Sequence, residues 1–310
     1  MKWVGGDYRM TLRAVPLDAE YFSVRRHLAD FLALTKPRLV LMVLIATLAG
    51  YYLGTFGKFD WIRLLNTLIG TALAAGGTIA LNQYLERDLD AKMRRTRDRP
   101  LPDGRLQPDG ALIFGLAISV GGVLYLLFTV NAITSLSAAV TVSSYIFLYT
   151  PLKRKSSFCT VVGAIPGALP PLGGWVAAQG SLSLEAWVLF AIMFFWQVPH
   201  SLAIAWLYRA DYGRAGIRLL PVIHPDGRST GHQIVNNCLA LLAVGLIPTI
   251  MGLAGSIYFF TALVVGIAFL LCGIRFAIHR TTVAARRLLW ASYLYVPLQL
   301  GVMSLDKVAY

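Results

Sequence analysis

Apolar residues come in long blocks along this chain, separated by polar stretches that alternate between short and long. Nine blocks, at 39–56, 64–84, 111–130, 133–149, 159–177, 186–207, 234–253, 257–276 and 288–302, are apolar over roughly 15–22 residues each, about the length a helix needs to cross the hydrocarbon core of a bilayer. Inside lipid every backbone N–H and C=O must find a partner within the chain, so runs of this length predict membrane-spanning α-helices. The pattern predicts an all-α integral membrane protein, a bundle of nine transmembrane helices. Residues 1–35 read as a flexible amphipathic N-terminal arm, 36–304 as a single transmembrane domain and 305–310 as a short C-terminal tail.

Composition agrees: 57% of residues are hydrophobic and only 14% charged, against about 25% charged in soluble domains. The formal net charge of +13 would ordinarily raise nucleic acid as a partner, but its placement accounts for it. All but three of the 28 lysines and arginines, Lys58, Arg63 and Lys307, fall before the first block, at the end of the eighth block, or in the loops after blocks two, four, six and eight. Lys and Arg favour cytoplasmic loops, so the N-terminus and these loops are expected inside, the C-terminus outside, with the lipid bilayer as partner and no nucleic acid. The first 35 residues carry Asp7, Asp18 and Glu20 and lack a compact apolar core with a small-residue cleavage site. No secretory signal or mitochondrial transit peptide is expected, and the bacterial plasma (inner) membrane is the expected location. Cys159, Cys238 and Cys272 lie singly inside apolar blocks and read as small core residues.

The chemistry concentrates just after the second block. Asn82, Glu86 and Asp90 are spaced by four, so they share one face while the helix lasts and offer oxygen to one volume. Hard oxygen donors suit Mg²⁺, which commonly takes one or two carboxylates together with the phosphates of its substrate. Arginines follow at once, in Met93-x-Arg95-Thr96-x-x-Arg99-Pro100-Leu101. The loop after the sixth block repeats the theme with Tyr208, Asp211, Tyr212 and Arg214, so both acidic loops (86–110 and 208–233) are expected on one membrane face.

These residues resemble the UbiA-type intramembrane prenyltransferases, in particular their haem-farnesylating members. The likeness is carried by Asn82-x3-Glu86-x3-Asp90 with the arginine run after it, and by four further stretches: Leu34-Thr35-Lys36-Pro37-Arg38, Tyr149-Thr150-Pro151-Leu152-Lys153-Arg154, the Gly/Pro-rich segment Gly163 to Trp175, and Trp196-Gln197-Val198-Pro199-His200 leading to Asp211-Tyr212-x-Arg214-Ala215-Gly216. It runs from about residue 34 to 234. Glu86 departs from the pattern, standing where the wider family usually has Asp, and Asp211 is the only clear carboxylate of the second motif.

The resemblance implies a UbiA-type bundle with its active site on the cytoplasmic face, and transfer of a farnesyl group from farnesyl diphosphate to a vinyl carbon of haem b, with water added next to it. It implies Mg²⁺ on Asn82, Glu86, Asp90 and Asp211, the diphosphate gripped by Arg95, Arg99, Lys153 and Arg154, and Tyr149, Tyr208 and Tyr212 facing an allylic cation. Lys36 and Arg38 either touch a substrate anion or anchor the first span. His200, costly in an apolar helix unless paired or facing a cavity, either contacts haem or is hydrogen-bonded within the bundle. A haem A synthase or a terminal-oxidase assembly protein is left open as a protein partner. Two other readings stand beside this one: a related prenyltransferase with a quinone-precursor or chlorin acceptor, and a secondary transporter, whose polar site would sit near the midplane and not at one face.

Overall fold

The computed structural model describes residues 17–308, with side chains from Arg26 onward. Among these residues the regular secondary structure is helical, apart from one isolated bridge between Ala254 and Lys307. An initial helix α1 (Leu17–Leu34) is followed by α2 (Pro37–Gly54), α3 (Trp61–Asp90), α4 (Pro108–Thr129) and α5 (Ala132–Ser143). A π-helical turn, Ser144–Tyr149, joins α5 to the short α6 (Thr150–Leu152). The rest comprises α7 (Cys159–Gln179), α8 (Leu184–Leu207), α9 (Arg209–Arg214), α10 (Leu220–Ile223), α11 (Arg228–Ile250), α12 (Ser256–His279) and α13 (Thr282–Leu305). With α5, the π turn and α6 taken as one continuous helix, nine helices among the described residues are long and apolar enough to cross a membrane, one for each apolar block. The protein is a multi-pass membrane protein.

Two details differ from the sequence reading. The arm holds a helix, α1, tied down at its end. Leu34 is buried against Ala80, and Asp30 pairs with Arg105 in the loop after α3. The fourth span is not a uniform α-helix, because six of its residues take the wider π turn.

The helices pack along one another in sequence order, α3 against α4, α11 against α12 and α12 against α13, while α7 docks on α2 and α8. Close approach of α2 to α7 depends on small residues. A Cβ built on Gly50 would lie 1.9 Å from the Pro171 carbonyl oxygen, and one on Gly174 would lie 2.0 Å from that of Thr47. In lipid such contacts replace the hydrophobic drive that packs helices in water. Pro166, Pro170 and Pro171 lie within α7, where neighbouring helices can re-satisfy freed backbone groups. α3 is 30 residues long, about 45 Å at 1.5 Å per residue and well beyond a core of about 30 Å. Its final turns, which carry Glu86 and Asp90, therefore reach the membrane face and remain helical there.

Gly50→Val is expected to destabilise the protein by about 2 kcal/mol or more, since backbone is on the other side of the contact and cannot move away. Gly121→Ala, whose new methyl meets nothing within 4 Å, should be neutral or slightly stabilising. Thermal melts of both variants in detergent test this; equal melting temperatures would mean that the α2–α7 approach is not tight.

Candidate active site

Because α3 continues to Asp90, Asn82, Glu86 and Asp90 do lie on one face, and all three are buried, at 5%, 7% and 1% exposure. Buried carboxylates need partners, and these find cations. Asp90 takes a charge-assisted bond from Arg99 at 2.6 Å. Its carbonyl accepts from the Thr96 hydroxyl, which closes the turn that carries the arginine back. Lys153, from the segment after α6, lies 2.7 Å from Glu86 Oε1 and donates to Oε2 at 3.0 Å. Oε1 itself is buried without a well-aligned donor. Burial disfavours the Lys153 charge, but Tyr149 and Glu86 more than compensate, and the ammonium is held well above the usual lysine range. Its Nζ also sits 4.4 Å from the centre of the Tyr149 ring, and Tyr149 meets Tyr145 edge-on at 4.9 Å.

Lys36 belongs to the same cluster. It adopts a left-handed conformation (φ 47°) at the start of α2, and its charge feels Arg99, Asp90, Lys153 and Glu86. Burial, then Arg99, lowers its pKa to about 8. Among the described residues it has no carboxylate of its own, so it is the surplus cation of the group.

Three loops close over these side chains. Leu89 and Met93 at the end of α3 pack with Ala215 and Ile217, and Tyr212 lies against them. The Arg218 N–H donates to the Lys153 carbonyl at 2.9 Å. Arg95 reaches the same loop, with its guanidinium 5.0 Å from the Tyr208 ring centre and 3.4 Å from the Tyr212 hydroxyl.

The sequence-derived set is thus brought together in part. Asn82, Glu86, Asp90, Lys36, Arg99, Lys153 and Tyr149 form one cluster, with Arg95, Tyr208 and Tyr212 linking α3 to the later loop. Asp211 comes from that loop but pairs with its neighbour Arg214, and no three His, Cys, Asp or Glu side chains converge among the described residues. Arg38 and Arg154 are exposed. His200 faces α13, stacked on Trp196 (4.9 Å) with its Nδ1 2.8 Å from Ser292 Oγ. Ser292 spends its proton on the Leu289 carbonyl, so Nδ1 is the donor and Nε2 keeps its lone pair. Sequence reasoning missed Thr150 and Tyr145 as parts of the site: Thr150 Oγ1 accepts from Asn82 Nδ2 at 3.1 Å. Thr150 did stand in one of the quoted motifs, but nothing in the residue pattern signals a π turn.

The result is a helical membrane bundle in which buried carboxylates are interleaved with cations at the end of one long helix. Residues 43–295 match the UbiA prenyltransferase family, and the chain belongs to it. It is 50% identical over 287 residues to a protein of Solibacter usitatus named protoheme IX farnesyltransferase, across 90% of this chain and 98% of that one. Among solved structures it resembles a digeranylgeranylglyceryl phosphate synthase (TM-score 0.78, 15% identity, covering 90% of this chain and 98% of that one). It also resembles a UbiA homologue from Archaeoglobus fulgidus bound to GPP and Mg²⁺ (TM-score 0.63, 16% identity, 89% and 99%). At these identities the structural likeness establishes the fold.

Removing one member of a buried pair leaves the other charge uncompensated. Lys153→Met should therefore cost about 3–5 kcal/mol of stability, while Lys153→Met combined with Glu86→Gln should recover more than half of that loss. Unfolding of both variants in detergent measures the coupling; simple additivity would show that Glu86 and Lys153 do not act as a unit.

Proposed function

We propose that this chain transfers a farnesyl group from farnesyl diphosphate to a vinyl group of haem b (protohaem IX), with addition of water, giving haem O and diphosphate. The half-identical relative named protoheme IX farnesyltransferase supports the substrates. The observation that carries the chemistry is the cluster of buried Glu86 and Asp90 with half-buried Lys36, Arg99 and Lys153 at the end of α3. Departure of diphosphate is the hard step, and it is favoured by positive charge fixed beforehand where negative charge develops, away from bulk water.

The donor set suits Mg²⁺: hard oxygens from Asn82, Glu86 and Asp90, with Glu86 Oε1 buried and paired to Lys153 at 2.7 Å without a well-aligned hydrogen bond, and Asp211 on the facing loop. Magnesium, when bound, supplies charge neutralisation to the diphosphate. Arg99 and Lys153, together with Lys36 and Arg95, would hold diphosphate oxygens, and guanidinium forks suit such anions bidentately. The rings of Tyr149, Tyr208 and Tyr212 present their faces to the allylic cation. The vinyl carbon bonds to that cation, the positive charge passes to its neighbour, and water adds there with loss of a proton. His200 is read as a haem contact through Nε2. Residues 36–304 form the transferase domain in this reading, with 1–35 as an arm and 305–310 as a tail. The active site faces the cytoplasm of a bacterial plasma membrane.

Haems extracted from cells expressing the chain should contain a more hydrophobic haem O peak on chromatography. Asp90→Asn should lower it about a hundredfold or more, equivalent to about 2.7 kcal/mol of barrier, with the protein still in the membrane. A prenylated quinone precursor in place of haem O would overturn the acceptor. Orientation has its own test. Cysteines replacing Asp103 and Arg228 should react with an impermeant thiol reagent only from the cytoplasmic side, and reaction from the outside alone would invert the topology.

A further inference from the structure

Thr150 sits where the π-helical turn Ser144–Tyr149 ends, 6% exposed and opposite Asn82. Its N–H closes the turn on the Tyr145 carbonyl, and its hydroxyl reaches the same carbonyl at 2.8 Å. A hydroxyl has one proton to give. With that proton on Tyr145, the 3.1 Å contact between Thr150 Oγ1 and Asn82 Nδ2 must be donated by the amide. The Asn82 amide is thereby oriented: its NH₂ is held by Thr150, and its oxygen is turned elsewhere as an acceptor. The π turn is what allows this. One extra residue in a turn rotates everything after it by about 100°, so Thr150 faces α3 only because the turn is π and not α.

We propose that Thr150 is a positioning residue that fixes the rotamer sense of the Asn82 amide, so that residue 82 offers oxygen and not NH₂ to a divalent cation. The inference rests on the reading of Asn82 as a metal ligand given above. It also accounts for an amide at position 82, because a carboxylate could meet Thr150 only by taking the hydroxyl proton away from the Tyr145 carbonyl.

The test is binding of Mn²⁺ to the purified full-length protein in the presence of inorganic diphosphate, followed by loss of the free-ion paramagnetic resonance signal, with no turnover required. Asn82→Ala should weaken Mn²⁺ binding about tenfold or more, the worth of a ligand to a charged centre. Thr150→Val, which keeps the shape and removes the acceptor, should weaken it about three- to tenfold, and Thr150→Ser should restore it to within about twofold of the parent. In the Asn82→Ala background, Thr150→Val should change nothing further, because it acts only through Asn82. If Thr150→Val does not fold, Thr150→Ala carries the same comparison. Parental affinity in Thr150→Val alongside weak binding in Asn82→Ala would overturn the positioning role alone. Additive losses in the double variant would do the same. Parental affinity in Asn82→Ala would remove both the ligand reading and the proposal.

Discussion

Charge cannot be left alone at the edge of a bilayer, and the pairing of Glu86 with Lys153 and of Asp90 with Arg99 is the constraint around which the loops of this protein are organised. A buried carboxylate stripped of its partner costs several kcal/mol. Each pair therefore decides where a loop must go. Asp90 draws the chain after α3 back on itself, and Thr96 closes that turn. Glu86 draws in the segment after α6, whose backbone then receives the Arg218 N–H from the third loop. Apolar contact among Leu89, Met93, Ala215 and Ile217 seals the outer side. The three loops are thus joined both by charge pairs and by hydrophobic packing.

Much of this was legible along the chain. The nine spans follow from block length alone, while the one-sided distribution of Lys and Arg is the basis of the proposed orientation. The shared face of Asn82, Glu86 and Asp90 was readable from their spacing, provided the helix outlasted the membrane, and the length of α3 meets that condition. What could not be read is partner choice. Lys153 and Arg154 are adjacent and alike in composition, yet one is half-buried on Glu86 and the other is exposed; only the direction of the π turn and α6 separates them. α1 escaped notice for a similar reason, because its hold on the bundle is through Leu34 and the Asp30–Arg105 pair and not through any apolar block.

The departure at Glu86 has a structural counterpart. Its carboxylate must meet an ammonium delivered by a different loop, and the additional methylene of glutamate extends the reach from α3 toward Lys153. The ammonium reaches both oxygens, with the aligned hydrogen bond to Oε2 and the shorter ion-pair contact to Oε1. A shorter aspartate on the same backbone would sit closer to α3 and farther from that ammonium. The residue that departs from the family pattern is therefore matched to the cation that faces it.

Interleaved pairs also bear on how such a site takes its ligand. Each carboxylate here is neutralised by a cation and each of those cations by a carboxylate, with Lys36 in excess. A metal ion arriving alone would have to displace Arg99 and Lys153 and leave them buried without counter-charge. A diphosphate arriving alone would strand Glu86 and Asp90 in the same way. On the proposed reading, a metal and a diphosphate together would replace both pairs at once: Glu86 and Asp90 would exchange ammonium and guanidinium for metal, and Arg99 and Lys153 would exchange carboxylate for phosphate oxygen. The low dielectric that makes either half-exchange expensive would penalise the joint exchange less, so the two ligands would be coupled through the side chains they share. Coupling of that kind is reciprocal, each ligand raising the affinity for the other by the same factor. The surplus ammonium of Lys36 would bias the joint exchange toward anions.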